Sequence, residues 1–104
     1  MVDVVRSSTF DRWLRKLKDR RAAARVLVRV QRLAAGNPGD VKPVGGGISE
    51  LRIDYGPGYR VYYLHEGDRL ILLLCGGDKS SQSADIANAH EIARQWRSKP
   101  GGER

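Results

Sequence analysis

Cysteine is almost absent. Cys75 is the chain's one thiol, so no internal disulfide framework can form and no cysteine-rich zinc site can be built. Long apolar runs are missing as well. The longest, Leu70 to Cys75, falls far short of the roughly 18–20 residues that cross a bilayer. The first residues include acidic Asp3 and hold no apolar stretch, so a secretory leader is not expected. Histidine is limited to His65 and His90, far apart and without acidic or cysteine companions at ligand spacing. A metal site is therefore not expected, and nothing in the chain calls for a cofactor. No serine sits in a nucleophile elbow, and neither a catalytic triad nor a carboxylate dyad is visible. These absences leave a soluble, cytoplasmic chain as the expectation.

What is present fits one domain. The chain has 104 residues, 40% hydrophobic and 30% charged, within the size and composition of a single globular unit. Its net charge is +7, which points towards nucleic acid or an acidic partner. The excess is local: residues 1–35 hold ten Lys and Arg against three Asp and Glu. Such a surface fits phosphate, an acidic protein, or simply solvent.

Val2 to Arg6 is short and β-branched and predicts a first strand. Ser8 or Thr9 then caps a helix with Asp11 in its first turn, where the dipole favours an acid. Phe10, Trp13, Leu14 and Leu17 share one face of it. Asp19 opens a second helix with an apolar stripe of Ala23, Val26, Leu27, Val30, Leu33 and Ala34. Arg21, Arg25, Arg29 and Arg32 form a basic stripe on another side. Gly36 and Asn37-Pro38-Gly39 stop the helix.

Residues 41–47 read as a turn-rich loop. Ile48 to Tyr55 alternates as a strand, with Leu51, Ile53 and Tyr55 on one side and Glu50, Arg52 and Asp54 on the other. Gly56-Pro57-Gly58 is a turn, Tyr59 to His65 a strand, and Glu66-Gly67-Asp68 a second turn. Arg69 to Cys75 is nearly all apolar, as in a strand buried on both faces, and Gly76-Gly77 ends it. A last helix from about Ser81 to Arg97 turns Ile86, Ala89, Ala93 and Trp96 inward. The predicted order is β-α-α-β-β-β-α, an α+β architecture with a helical hairpin packed on an antiparallel meander. Residues 1–97 form the domain, and 98–104 are expected to be a flexible C-terminal tail.

Gly76-Gly77-Asp78-Lys79-Ser80-Ser81 has the ingredients of a phosphate loop without its spacing. A glycine turn before a capped helix is the plainer reading. Cys75 reads as a small core hydrophobe. More specific is the grouping of Arg52, Arg60, Tyr62 and Lys79, which a meander brings to one surface. Arg and Lys bind a phosphodiester and stabilise a pentavalent phosphoryl transition state. Tyr59, Tyr62 or Tyr63 can stack on a base. Alternatively Arg52 pairs with Glu50 or Asp54 and the tyrosines are packing. Spacing alone leaves both open.

Glu50-Leu51-Arg52-Ile53, Gly56-Pro57-Gly58-Tyr59-Arg60-Val61-Tyr62-Tyr63, Gly76-Gly77-Asp78-Lys79-Ser80-Ser81-Gln82 and Asp85-Ile86 together resemble the RelE/ParE toxin superfamily. The closer likeness is to its HigB-type addiction module killer branch. Phe10-Asp11-Arg12-Trp13-Leu14, Leu17-Lys18-Asp19 and Gly36-Asn37-Pro38-Gly39-Asp40 fit the same branch, so the likeness runs over about residues 3–97. It implies a RelE-like fold and the toxin of a type II toxin–antitoxin module. Such toxins enter the ribosomal A site and cut mRNA without a metal, the 2′-OH attacking the adjacent phosphate. The implied partners are a HigA-like helix-turn-helix antitoxin, the ribosome and A-site mRNA, with no membrane.

By that resemblance Arg60 is the strand arginine of the Gly-Tyr-Arg motif and Lys79 the basic residue after the third strand. Arg52 matches a basic position on the preceding strand. RelE proteins add a C-terminal tyrosine and some HigB proteins C-terminal histidines. Here Asp85 and Ile86 stand in that neighbourhood, with His90 as the one nearby histidine. Acid–base chemistry then falls to a strand tyrosine such as Tyr62, or to Lys79. Gln82, Tyr59 and the stripe Arg21, Arg25, Arg29 and Arg32 are the candidate RNA contacts. Two other readings remain: a ParE-like poison of DNA gyrase, and a non-catalytic protein acting only with its antitoxin.

Overall fold

Two periodicities, 3.6 in the helices and 2 in the strands, account for most of the element boundaries. The computed structural model describes residues 2–98. In chain order these are β1 (Asp3–Arg6), α1 (Ser8–Lys16), α2 (Arg20–Ala34), β2 (Val41–Gly45), β3 (Ile48–Ile53), β4 (Tyr59–Glu66) and β5 (Leu70–Asp78). A 3-10 turn (Lys79–Ser81) then leads into α3 (Gln82–Ser98). The fold is a mixed α+β one, with a five-stranded sheet in the order β1-β5-β4-β3-β2. β2 to β5 are antiparallel neighbours, while β1 runs parallel to β5.

One strand departs from expectation. Val41–Gly45, read as loop from its proline and glycines, pairs with β3 as an edge strand with an irregularity between Pro43 and Gly45. An edge position tolerates Pro43 because one side of the strand needs no partner for its N–H. Gly45, Gly46 and Gly47 all take positive φ, the conformation that closes this hairpin and that glycine adopts without strain. β5 likewise continues through the glycine pair, Gly76 standing opposite Val61 and Gly77 opposite Arg60.

Caps fix where the helices start. Ser7, rather than Ser8 or Thr9, caps α1 by accepting from the Phe10 N–H at 3.0 Å, and its hydroxyl donates to the Leu74 carbonyl at 2.6 Å. The helix is thereby tied to β5. Asp19 caps α2 through the N–H groups of Arg21 and Ala22.

The sheet separates two apolar layers. Phe10, Leu14, Val26, Val30 and Leu33 of the hairpin pack on Leu51, Ile53, Val61, Tyr63, Ile71 and Leu73. On the other face Ala89 and Ala93 of α3 pack on Ile48, Tyr62, Leu64, Leu72 and Leu74. Each large aliphatic side chain so buried contributes roughly 1.5–3 kcal/mol. Leu27, expected in the inward stripe, is 38% exposed, and Ala22 is buried instead. Among the described residues no helix is long and apolar enough to cross a membrane. The expected tail, 98–104, lies outside the described residues except Ser98, which ends α3.

Candidate active-site cleft

Strand register builds the site. Glu50 stands opposite Tyr62, and Arg52 opposite Arg60, which in turn stands opposite Gly77. Alternation puts Glu50 and Arg52 on the same side of β3 as Ile48, towards α3. Lys79 follows β5 in the 3-10 turn. The result is a cleft of about 380 Å³ lined by Arg52, Arg60, Lys79, Asp40, Asp54 and the Gly56–Gly58 turn.

Behind the cations lies Glu50, 1% exposed and the only buried charged residue among those described. A carboxylate removed from water needs partners that replace its hydration. Tyr62 Oη donates to Glu50 Oε2 at 3.0 Å and Gln82 Nε2 donates to the same oxygen at 2.7 Å. Arg52 Nε lies 4.0 Å from Glu50 Oε1 and 3.9 Å from Asp40 Oδ2. The Arg52–Glu50 pairing thus exists, yet the Arg52 side chain remains 39% exposed and lines the cleft. Nε of Arg52 and Nε of Arg60 are both buried without a hydrogen-bond acceptor among the described residues. A buried donor left unmade costs about 1–3 kcal/mol.

The third cation is presented by the Gly-Gly-Asp-Lys-Ser-Ser segment. Asp78 accepts from the Ser80 N–H at 2.8 Å and from Ser80 Oγ at 2.5 Å, which holds its carboxyl below the usual range and caps the turn. Lys79 is left exposed at the rim. The glycines before it serve close packing on both faces. A Cβ on Gly76 would overlap the Trp13 ring, and one on Gly77 would overlap the Asp85 carboxylate. That carboxylate accepts from Ser81 Oγ at 2.5 Å.

Several expected site residues have other positions. Tyr62 is fully buried, and burial, followed by its hydrogen bond to Glu50, raises its pKa far above 10. It keeps its proton and faces Glu50 rather than the cleft, so it touches the cleft only through that carboxylate. Tyr59 is 9% exposed and packs edge-on to Trp13 in the hairpin-side core, with ring centroids 6.4 Å apart. It offers no free face for a base. Gln82 is half-buried and engaged by Glu50. Cys75 is a core residue whose thiol burial pushes up to about 12. His65 and His90 meet the carbonyls of Gly67 and Val44, and among the described residues no metal-holding cluster of His, Cys, Asp and Glu occurs.

The basic stripe is not uniform either. Arg21, Arg25 and Arg32 are exposed, with the Arg25 guanidinium 4.5 Å above the Tyr55 ring. Arg29 instead donates to the carbonyls of Arg52 (2.6 Å), Pro38 (2.9 Å) and Asp40 (3.4 Å). It braces the backbone of two cleft residues. Sequence reasoning offered Glu50 as a partner for Arg52, but it missed the burial of Glu50 and its bonds to Tyr62 and Gln82, and it gave Asp40 no place at the site. The available signal for Glu50 was its place in the alternation, an acid at the parity of Ile48.

Residues 12–97 match the family described as phage derived protein Gp49-like. An uncharacterized protein of Haemophilus influenzae is 50% identical over 94 residues, which cover 90% of this chain and 95% of that protein. Both the cleft cations and the 3-10 turn fall inside the family match.

Proposed function

Since the chain belongs to the phage-derived Gp49-like family, we propose that it is the toxin of a type II toxin–antitoxin module, a metal-independent endoribonuclease acting on mRNA in the ribosomal A site. The likeness to HigB-type and RelE-like toxins in the Gly-Tyr-Arg and Gly-Gly-Asp-Lys segments supports this reading, and a HigA-like antitoxin is the partner it implies. The observation that carries it is the convergence of Arg52, Arg60 and Lys79 on one cleft, with no hydrogen-bond acceptor on the Nε of either arginine among the described residues. Such a cleft suits a phosphodiester whose charge grows in the transition state.

In this reading Arg52 and Arg60 hold the non-bridging oxygens. The 2′-oxygen forms its bond to phosphorus as the bond to the 5′-oxygen breaks. The proton leaves the 2′-OH to solvent or the ribosome, and Lys79 at the rim gives one to the departing 5′-oxygen. Among the described residues no histidine lines the cleft. The ribosome must therefore contribute by aligning the 2′-OH, an effect of large rate value.

Purified protein should cut mRNA on programmed ribosomes and leave free RNA largely intact. Arg60→Ala and Lys79→Ala should each lose about 10²–10³ in rate and become harmless when expressed alone. Folded variants as toxic as the parent overturn the assignment. Inhibited gyrase supercoiling with intact mRNA moves the protein to the gyrase-poison reading.

A further inference from the structure

A second, larger groove runs along α2. Arg21, Ala24, Arg25, Val28, Arg29 and Arg32 form one wall, Ile53 and Asp54 the other, enclosing about 580 Å³. The spacing of three and four residues places the first wall on one helical face.

Its chemistry is mixed rather than purely cationic. Arg29, in the middle of the stripe, is turned onto the carbonyls of Arg52 and Pro38. Between the outward guanidiniums lie the exposed Ala24 and Val28, the latter 51% exposed. An RNA backbone offers such a strip nothing apolar. An amphipathic peptide covers it while its carboxylates meet the arginines on either side. We propose that this groove is the docking site for an acidic amphipathic segment of a partner protein, seated on the exposed Ala24 and Val28 and paired with Arg21, Arg25 and Arg32.

The dimensions set the length of the occupant. From Arg21 to Arg32 the helix rises about 16 Å at roughly 1.5 Å per residue, which matches three turns of a partner helix. Asp54 is the one carboxylate in the lining, so the acids of the segment are directed to the α2 side. Ile53 and Asp54 also line the phosphate cleft. A seated segment therefore lies beside that cleft. The assignment of the groove stands without the nuclease reading.

The test uses a labelled 14-residue Leu/Glu peptide with its leucines on one helical face, followed by fluorescence anisotropy. Three controls accompany it: the same composition with leucines dispersed, an oligouridylate competitor, and far-UV circular dichroism of each variant. The amphipathic peptide should bind at least tenfold tighter than the dispersed one. Val28→Asp and, separately, Arg32→Glu should each weaken it at least tenfold while remaining folded. Absent binding, equal binding of the two peptides, or unchanged affinity in both variants overturns the proposal. Displacement by oligouridylate at lower concentration than unlabelled peptide assigns the groove to RNA and overturns it too. Ribosomal cleavage by Val28→Asp, measured on the same preparation, should be unchanged. Its absence in the parent protein would sink the nuclease reading alone.

Discussion

Glu50 and Tyr62 face each other across β3 and β4, and the phenol donates to the buried carboxylate at 3.0 Å. The relationship ties the α3-side core to the cleft. Glu50 Oε2 takes Tyr62 and Gln82, while Oε1 faces Arg52. One strand, its neighbour and the first turn of α3 thus converge on one charge. Arg52 is held from behind by Glu50 and from the front by the exposed Asp40, so the cleft is organised before any ligand arrives.

Removing that charge should be felt in stability. Glu50→Ala leaves two hydrogen-bond donors and part of a guanidinium unpaired, and hydrogen bonds to charged groups contribute about 1.5–3 kcal/mol. We expect a loss of about 2–4 kcal/mol by urea denaturation. Glu50→Gln keeps an acceptor for Tyr62 and Gln82 and should lose less. Equal losses for the two variants would mean that the hydrogen bonds contribute nothing beyond the charge.

The α+β class, both helices of the hairpin, the three-strand meander and the inward face of α3 were legible from periodicity, because buried stripes leave period-3.6 and period-2 traces. β2 was hidden because Pro43 and three glycines are turn residues in any local reading, and only the pairing with β3 makes an edge strand of them. At the site, strand alternation and the turn placed Arg52, Arg60 and Lys79 at one cleft. It could not say that Tyr59 and Tyr62 lie inside different core layers. Tyrosine suits a surface and a core equally, and which face a strand buries is decided by the helices packed on it. Arg29 escaped for a related reason: its spacing fits the exposed stripe, while its length lets it reach the carbonyls of Arg52 and Pro38.

Arg60→Lys separates charge from geometry. Lysine retains the positive charge and lacks the side-facing Nε donor that is buried and unpartnered in Arg60. Where a fixed fork matters, the exchange is not conservative. Single-turnover cleavage on ribosomes should fall at least tenfold, with folding stability nearly unchanged. Full activity in the lysine variant would reduce Arg60 to a point charge.

The tyrosines predict alkaline sensitivity. Tyr62 has a raised pKa in the folded protein, from burial first and Glu50 second, and burial raises Tyr63 as well. A group with a raised folded pKa contributes its full stability below its unfolded value, near 10, and loses it as pH climbs towards the folded value. Each tyrosine that ionises only in the unfolded chain lowers stability by roughly 1.4 kcal/mol per pH unit in that window. Stability should therefore fall steeply above pH of about 10. Tyr62→Phe should flatten that fall while lowering stability at neutral pH, as followed by urea melts at several pH values.

Gly77 tests how closely α3 sits on the sheet. Gly77 is buried in β5 opposite Arg60, and a Cβ there would overlap the Asp85 carboxylate and approach Ser81 Oγ. Gly77→Ala must therefore push the Asp85 side chain away and break its 2.5 Å hydrogen bond with Ser81. Overpacking of this kind costs about 1–3 kcal/mol. Asp85→Ala alone should cost less, since it loses that hydrogen bond and a first-turn acid of about 0.3–1 kcal/mol. In the double variant the obstruction is gone, so its total loss should be smaller than the sum of the two single losses. Residues in contact show such coupling and distant ones do not. The 3-10 turn carrying Lys79 lies between these two residues in sequence, so Gly77→Ala should also lower ribosomal cleavage, and Asp85→Ala should restore part of it. Strict additivity in the urea melts would remove the steric account of the glycine pair.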